Sequence, residues 1–172
     1  ATAIASTYSP RALIVIGAPD DRLNLARRWG ANATISIDAH PAPTERIEMV
    51  RELTDGRGAD VIIEVAGVAG AFSEGVEMAA RNARYVLVGN VGAPSHPVAA
   101  HHITNRQITV VGSSGGHIDA YYKAMEFLVA NEGRFDWHEM LGDRYQLDNI
   151  SEALQRMESG DEIKPVILTR PD

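Results

Sequence analysis

Short apolar runs recur along this chain, and a stretch with helical spacing separates most of them from the next. LIVI at 13–16, VIIEVA at 61–66, YVLVG at 85–89 and ITVVG at 108–112 are the strongest, with ATISID at 33–38 as a weaker fifth. Runs this short and this continuous read as strands buried on both faces. Between them, Asp20 to Gly30 reads as a helix with two acids at its positive end and glycine as its left-handed stop, and Leu25 and Trp29 share one face of it. Met49 with Leu53, Phe72 with Val76, and Tyr121 with Met125 and Leu128 repeat at three to four residues, so each set is expected to lie on the sheet. Strands alternating with helices of this length require right-handed crossovers. They give an α/β, doubly wound parallel sheet that binds ligands outside the carboxyl ends of its strands.

The rhythm breaks at Phe135. Beyond it, DRYQLDNISEALQRMESGDEIKPVIL reads as a helix capped by Asp148, carrying Ile150, Ala153, Leu154 and Met157, stopped by Gly160 and followed by a last strand after Pro165. Two units are therefore expected, residues 1–134 and residues 135–172. The opening ATAIASTY has small residues and no capping side chain, and reads as a helix already under way.

Composition narrows the function. With 16 Lys+Arg against 23 Asp+Glu, the net charge of -7 disfavours nucleic acid and anionic lipid as partners and favours a small molecule. No apolar run approaches the length of about 18 residues that a membrane span needs, so a soluble, cytoplasmic protein is expected. The absence of cysteine removes disulfides, thiol catalysis and cysteine-ligated zinc from these residues.

In order along the chain, LNLARRWGANATI, GADVIIEVAG, ARYVLVGNVG and ISEALQRMESGDEIKPVIL resemble one family, the zinc-containing medium-chain dehydrogenases that include alcohol, sorbitol and threonine dehydrogenases. The resemblance runs from Ala1 to Leu168. It implies a Rossmann-type nucleotide-binding fold that lacks its first strand and glycine-rich phosphate loop. It also implies an NAD- or NADP-dependent parent enzyme transferring hydride to or from an alcohol or carbonyl substrate, with catalytic zinc held by a domain outside this sequence. Residues 135–172 would rejoin that domain. The first strand is central in such a sheet, so its absence would set the strands at 13–16 and 61–66 apart by one strand width, about 4.8 Å. Closure of the two strands onto each other, a borrowed strand, or marginal stability is then expected.

Gly17 ends the first strand where many nucleotide folds place a ribose-binding acid; glycine there leaves NAD versus NADP open, and Arg22 can reach the ribose or phosphate side. Asp20 and Asp21 serve as caps. Val65 and Ala66, then Val88, Gly89 and Asn90, follow the next strands, where small residues let backbone approach a flat ligand. The resemblance sets these, with Ser113 and Ser114, around the adenosine and nicotinamide halves of a crevice, sets Lys164 near the cofactor pyrophosphate, and makes the strand at 107–113 the edge that pairs subunits of a homo-oligomer.

Glu64, in an apolar strand, is either a site residue or a structural network acid. Gly112 to Gly116 matches the G-x-S-x-G elbow of hydrolases, but only Asp136, His138 and one strand follow it. His96, His101 and His102 read as a polar loop. No catalytic or metal residue is assigned, and His117 is a candidate for mutation only. The rival readings are a non-catalytic interaction fragment and a methyltransferase-like nucleotide fold.

Overall fold

A computed structural model describes residues 1–89 and 95–169. Helix α1 (Thr2–Thr7) leads to strand β1 (Ile14–Gly17), helix α2 (Asp20–Arg28) and strand β2 (Ala33–Ser36). Helix α3 (Pro43–Leu53) crosses to strand β3 (Ala59–Glu64), which is followed by helix α4 (Ala71–Met78), strand β4 (Ala79–Leu87), helix α5 (Ala100–Arg106) and strand β5 (Thr109–Gly112). Helix α6 (Ile118–Ala130), strand β6 (Arg144–Gln146), helix α7 (Ile150–Ser159) and strand β7 (Val166–Leu168) complete the order.

The local chemistry explains the boundaries. α2 carries Asp20 and Asp21 in its first turn and Arg27 and Arg28 in its last, both matched to the helix dipole. Neither aspartate makes a side-chain cap; Pro19 holds the cap position. Gly30 stops the helix at φ +101°, and a Cβ there would lie 2.9 Å from the Cβ of Ser6 in α1. α3 begins on Pro43, whose missing N–H costs nothing in a first turn.

All strand pairs are parallel: β1 with β2, β3 with β4 and β4 with β5, and β6 with β7 in a sheet of its own. β1 and β3 are not hydrogen-bonded to each other, so of the three outcomes expected for them closure of one strand onto the other is not the one seen. Side chains join the halves instead. Ile14 and Ile16 of β1 and Ile62 of β3 pack against a cluster of Ile35, Val50 and Met78. Above it, Arg46 of α3 grips the Glu74 carboxylate of α4 through Nε and Nη2 at 2.7 and 2.6 Å, with both side chains largely buried.

The main core lies between β3–β5 and the helices on one face. Tyr85 is fully buried there with Val76, Ala79, Ala83 and Ile108, and its ring meets Phe72 edge-on at 5.0 Å. Gly75 sits inside α4 because a Cβ would come within 2.5 Å of the Tyr85 hydroxyl. A second core joins α1 and α2 to the C-terminal segment, with Trp29 edge-on to Phe135 at 5.8 Å and to Trp137 at 5.4 Å.

Several expectations change. β3 is covered on one face only: Val61, Ile63 and Val65 are exposed, while Ile62 turns inward and Glu64 is buried. Tyr121 and Met125 of α6 are exposed too, because that helix is anchored through Phe127 to the Phe135–Trp137 cluster and not to the sheet. β4 begins at Ala79, six residues before the apolar run, by pairing Ala79 with Ala59 across an irregularity in β3. Asp148 does not cap α7: residues 147–149 form a 3-10 turn, and Asn149 holds the cap position without a side-chain bond. β6 had no counterpart in the sequence reading, since RYQ is three residues with one buried side chain.

Replacing Arg46 by Met should cost about 3–5 kcal/mol, because the Glu74 carboxylate stays behind, buried and unpaired. The double variant Arg46→Met/Glu74→Leu should recover much of that loss. Urea unfolding of the three proteins measures both effects.

Candidate functional site

The carboxyl ends of β3, β4 and β5 meet in one place, and Glu64 is its centre. The Glu64 backbone carbonyl accepts the N–H groups of Val88 and Gly89 at 2.9 and 3.1 Å, which fastens the loop after β4. Its side-chain Oε1 accepts the N–H groups of Ala66 and Gly67 at 2.6 and 2.9 Å, which fastens the loop after β3. One residue thus takes four amide protons. The carboxylate is buried, and among the described residues its Oε2 has no hydrogen-bond partner and no Lys or Arg forms an ion pair with it. Burial, and then the nearby carboxylates of Glu64 and Glu74, hold the Tyr85 hydroxyl well above its ordinary range, so it stays a neutral donor to the Ala71 carbonyl.

The two loops touch backbone to backbone. A Cβ on Gly67, which sits at φ +70°, would lie 2.5 Å from the Gly89 carbonyl oxygen. A Cβ on Gly89 would lie 2.5 Å from the Gly67 nitrogen and 2.7 Å from the Val65 carbonyl carbon. Neither position admits another residue without moving main chain. Ser113 continues the row by donating its N–H to the Leu87 carbonyl at 2.9 Å. The structure therefore brings together Val65, Ala66, Val88, Gly89 and Ser113, with Val65 and Val88 presenting exposed apolar side chains at the rim. Ser114 is exposed one residue further on, and Asn90 lies outside the described residues.

The other expected positions stand apart. Gly17 ends β1 in the separate β1–β2 sheet, where its carbonyl accepts the Ile37 N–H at 3.0 Å. A Cβ there would meet only Leu23 Cδ2, at an ordinary 3.9 Å. Arg22 lies exposed in the first part of α2, and its side chain has no hydrogen bond or ion pair among the described residues. Lys164 is exposed ahead of β7, with its carbonyl bound to the Gly142 N–H at 2.7 Å, and among the described residues makes no hydrogen bond to the loops after β3 and β4.

The two distracting motifs resolve into structural roles. The Asp136 carboxylate accepts the N–H of His138 at 2.9 Å and caps a 3-10 turn, leaving no acid–histidine pair directed at Ser113 or Ser114 among the described residues. His102 bonds Glu77 at 2.9 Å and lies 3.3 Å from Arg106, tying α5 to α4. Among the described residues no three His, Cys, Asp or Glu side chains come together as a metal would require. At the far, amino end of β3 and β4, a cavity of about 300 Å³ is lined by Arg51, Arg57, Arg81 and Arg106. Two of these cations meet helix ends: one Arg106 nitrogen donates to the carbonyls of Val76, Glu77 and Ala79, and Arg81 donates to the Asn105 carbonyl in the last turn of α5.

What sequence reasoning left undecided was Glu64. The legible signal was an acid ending a strand with a glycine three residues on, a spacing that lets a carboxylate reach forward to amides of its own turn. Which donors it took could be read only from the fold.

The sequence profile described as zinc-binding dehydrogenase matches residues 2–130. The chain belongs to that family. Among curated relatives of this zinc-binding dehydrogenase chain, 5-exo-hydroxycamphor dehydrogenase of Pseudomonas putida is 33% identical over 97% of this chain and 46% of its own. L-threonine 3-dehydrogenase of Bacillus subtilis is 27% identical, over 93% of this chain and 45% of its own. An alcohol dehydrogenase structure from Thermotoga maritima superposes with a TM-score of 0.82 at 27% identity, covering 96% of this chain and 45% of its own. The family chain thus spans about half the length of these relatives. The nucleotide-binding-type α/β fold is common to them, and no described helix is long and apolar enough to cross a membrane.

Gly67→Ala should shift both loops, because the added carbon meets main chain at a positive φ. A loss of about 1–3 kcal/mol of stability is expected, and ordinary thermal unfolding reads it. Gly17→Ala, whose Cβ has room, should stay within about 1 kcal/mol of the parent.

Proposed function

We propose that the carboxyl edge around Glu64 is the cofactor crevice of an NAD- or NADP-dependent alcohol dehydrogenase, an oxidoreductase moving hydride between an alcohol or carbonyl substrate and the nicotinamide. The observation that carries this reading is the backbone contact of Gly67 with Gly89, bare of side chains, at the strand ends where doubly wound sheets bind ligands. Family membership supports the chemistry, since the curated relatives are named as dehydrogenases of small hydroxy compounds.

Val88, Gly89 and Asn90 would border the nicotinamide half, with Val65, Ala66, Ser113 and Ser114 along the adenosine and nicotinamide halves of the same crevice. Gly17 and Arg22 would take the adenosine ribose and its 2′-substituent, and Lys164 the pyrophosphate. When bound, the nicotinamide ring carries the hydride; the chain's own part is to offer a flat, small-residue floor and to keep water from one face of the ring. Among the described residues no set of three His, Cys, Asp or Glu side chains fits zinc, so no step is routed through a metal. Residues 135–172 would serve as the unit that rejoins a catalytic domain, in a soluble, cytoplasmic protein. The 172 residues alone would lack activity, and would bind cofactor only in the millimolar range, about -4 kcal/mol, without a glycine-rich phosphate loop.

Titration calorimetry with NADH is the test: binding by the protein at its natural length, weakened by substitution at Gly89, is expected, and a response to S-adenosylmethionine instead would overturn the reading. Gly17→Asp should raise the kcat/KM ratio of NAD over NADP by about tenfold or more, through repulsion of the 2′-phosphate; an unchanged ratio removes Gly17 from the site. Among the described residues β5 is hydrogen-bonded on one side only, to β4, which supports its pairing with a second copy in a homo-oligomer. Sedimentation should then show a dimer or larger, and a charged Val110→Lys edge should dissociate it.

A further inference from the structure

The four amide protons on Glu64 carry a consequence for how the crevice behaves as well as how it is built. Among the described residues the carboxylate is hydrogen-bonded to its own loop alone, at Ala66 and Gly67, whereas the carbonyl of the same residue holds the other loop, at Val88 and Gly89. The loops also meet directly, since Gly67 and Gly89 stand too close for any side chain between them. A shift of the Ala66–Gly67 turn must therefore displace Gly89, and a shift of Gly89 must pull on the Glu64 carbonyl. A carboxylate is a costly way to close a turn: it is buried, and among the described residues one oxygen has no donor and no cation compensates it. A hydroxyl or amide side chain could satisfy the same two amides without that penalty. What the carboxylate adds is the strength of charge-assisted bonds and a reach that ends at the contact between the loops.

We propose that Glu64 is a positioning residue that couples the loops after β3 and β4 into one unit, and that its carboxylate thereby sets the affinity of the crevice for the nicotinamide cofactor. The cofactor half of this statement rests on the function proposed above; the coupling half does not. Amide hydrogen exchange and NADH titration separate them, using the protein at its natural length and the variants Glu64→Gln, which keeps the shape and one acceptor, and Glu64→Leu, which keeps neither acceptor.

In Glu64→Gln, exchange should speed up about tenfold at Ala66 and Gly67 and, in step, at Val88 and Gly89, whose own acceptor is untouched. The NADH dissociation constant should rise about tenfold with kcat for bound substrate less affected, and Glu64→Leu should exceed Glu64→Gln in both readings. A residue serving only its own turn would loosen Ala66 and Gly67 while Val88 and Gly89 stay within about twofold of the parent, and that result overturns the coupling. Parent-like NADH binding in both variants, with the parent itself binding NADH, overturns the effect on affinity. A parent that binds no nicotinamide nucleotide refutes the cofactor reading instead, and the exchange result then decides the coupling by itself. Should Glu64→Leu fail to fold, the Glu64→Gln comparison reads the same amides.

Discussion

The fold hinges on how its two half-sheets are held without a shared ladder of hydrogen bonds. β1–β2 and β3–β4–β5 are separate sheets, and the joint between them is the Arg46–Glu74 pair above the cluster of Ile35, Val50 and Met78. A bidentate guanidinium–carboxylate bond fixes both distance and angle, which apolar contacts alone do not. It therefore sets where α3 lies against α4, and through them where β1 stands relative to β3. The apolar cluster supplies the burial, and the ion pair supplies the geometry.

From that joint the crevice side follows. β3 runs inward with Ile62 and Glu64, and the depth at which Glu64 is buried makes its oxygens available to main-chain amides and not to water. Two glycines then let the loops after β3 and β4 approach until main chain meets main chain. The opposite end of the same strands has the reverse character, with arginines set against the carbonyl ends of α4 and its neighbours. The strands are thus polarised: small-residue surface whose amides are engaged by Glu64 at one end, and helix ends met by arginine at the other.

The structure also leaves apolar surface uncovered, and in a patterned way. Val61, Ile63 and Val65 line one face of β3, while Tyr121, Tyr122 and Met125 line an open face of α6. Sequence periodicity had placed Val61, Ile63 and Val65 in a strand buried on both faces, and Tyr121 and Met125 against the sheet. Periodicity reports that a surface is suited to burial; it does not report what covers it. In these 172 residues the covering element for that face of β3 is not among those described, and α6 follows its Phe127 contact to the aromatic cluster instead.

By itself the sequence determined the alternation of strand and helix, the parallel pairing that alternation requires, and the stops at Gly30 and Gly160, because each depends on residues a few positions apart. The family was legible for the same reason, through motifs contiguous in the chain. Site positions Val65, Ala66, Val88 and Gly89 could be marked as strand ends, but their assembly around Glu64 could not. Only the tertiary structure decided that, along with the exposed face of β3, the turn of α6 and the pairing of β6 with β7. The physical reason is clearest for Glu64 and β6, whose partners Val88 and Val166 stand 20 or more residues away, and which partner arrives depends on register and packing that local pattern does not encode.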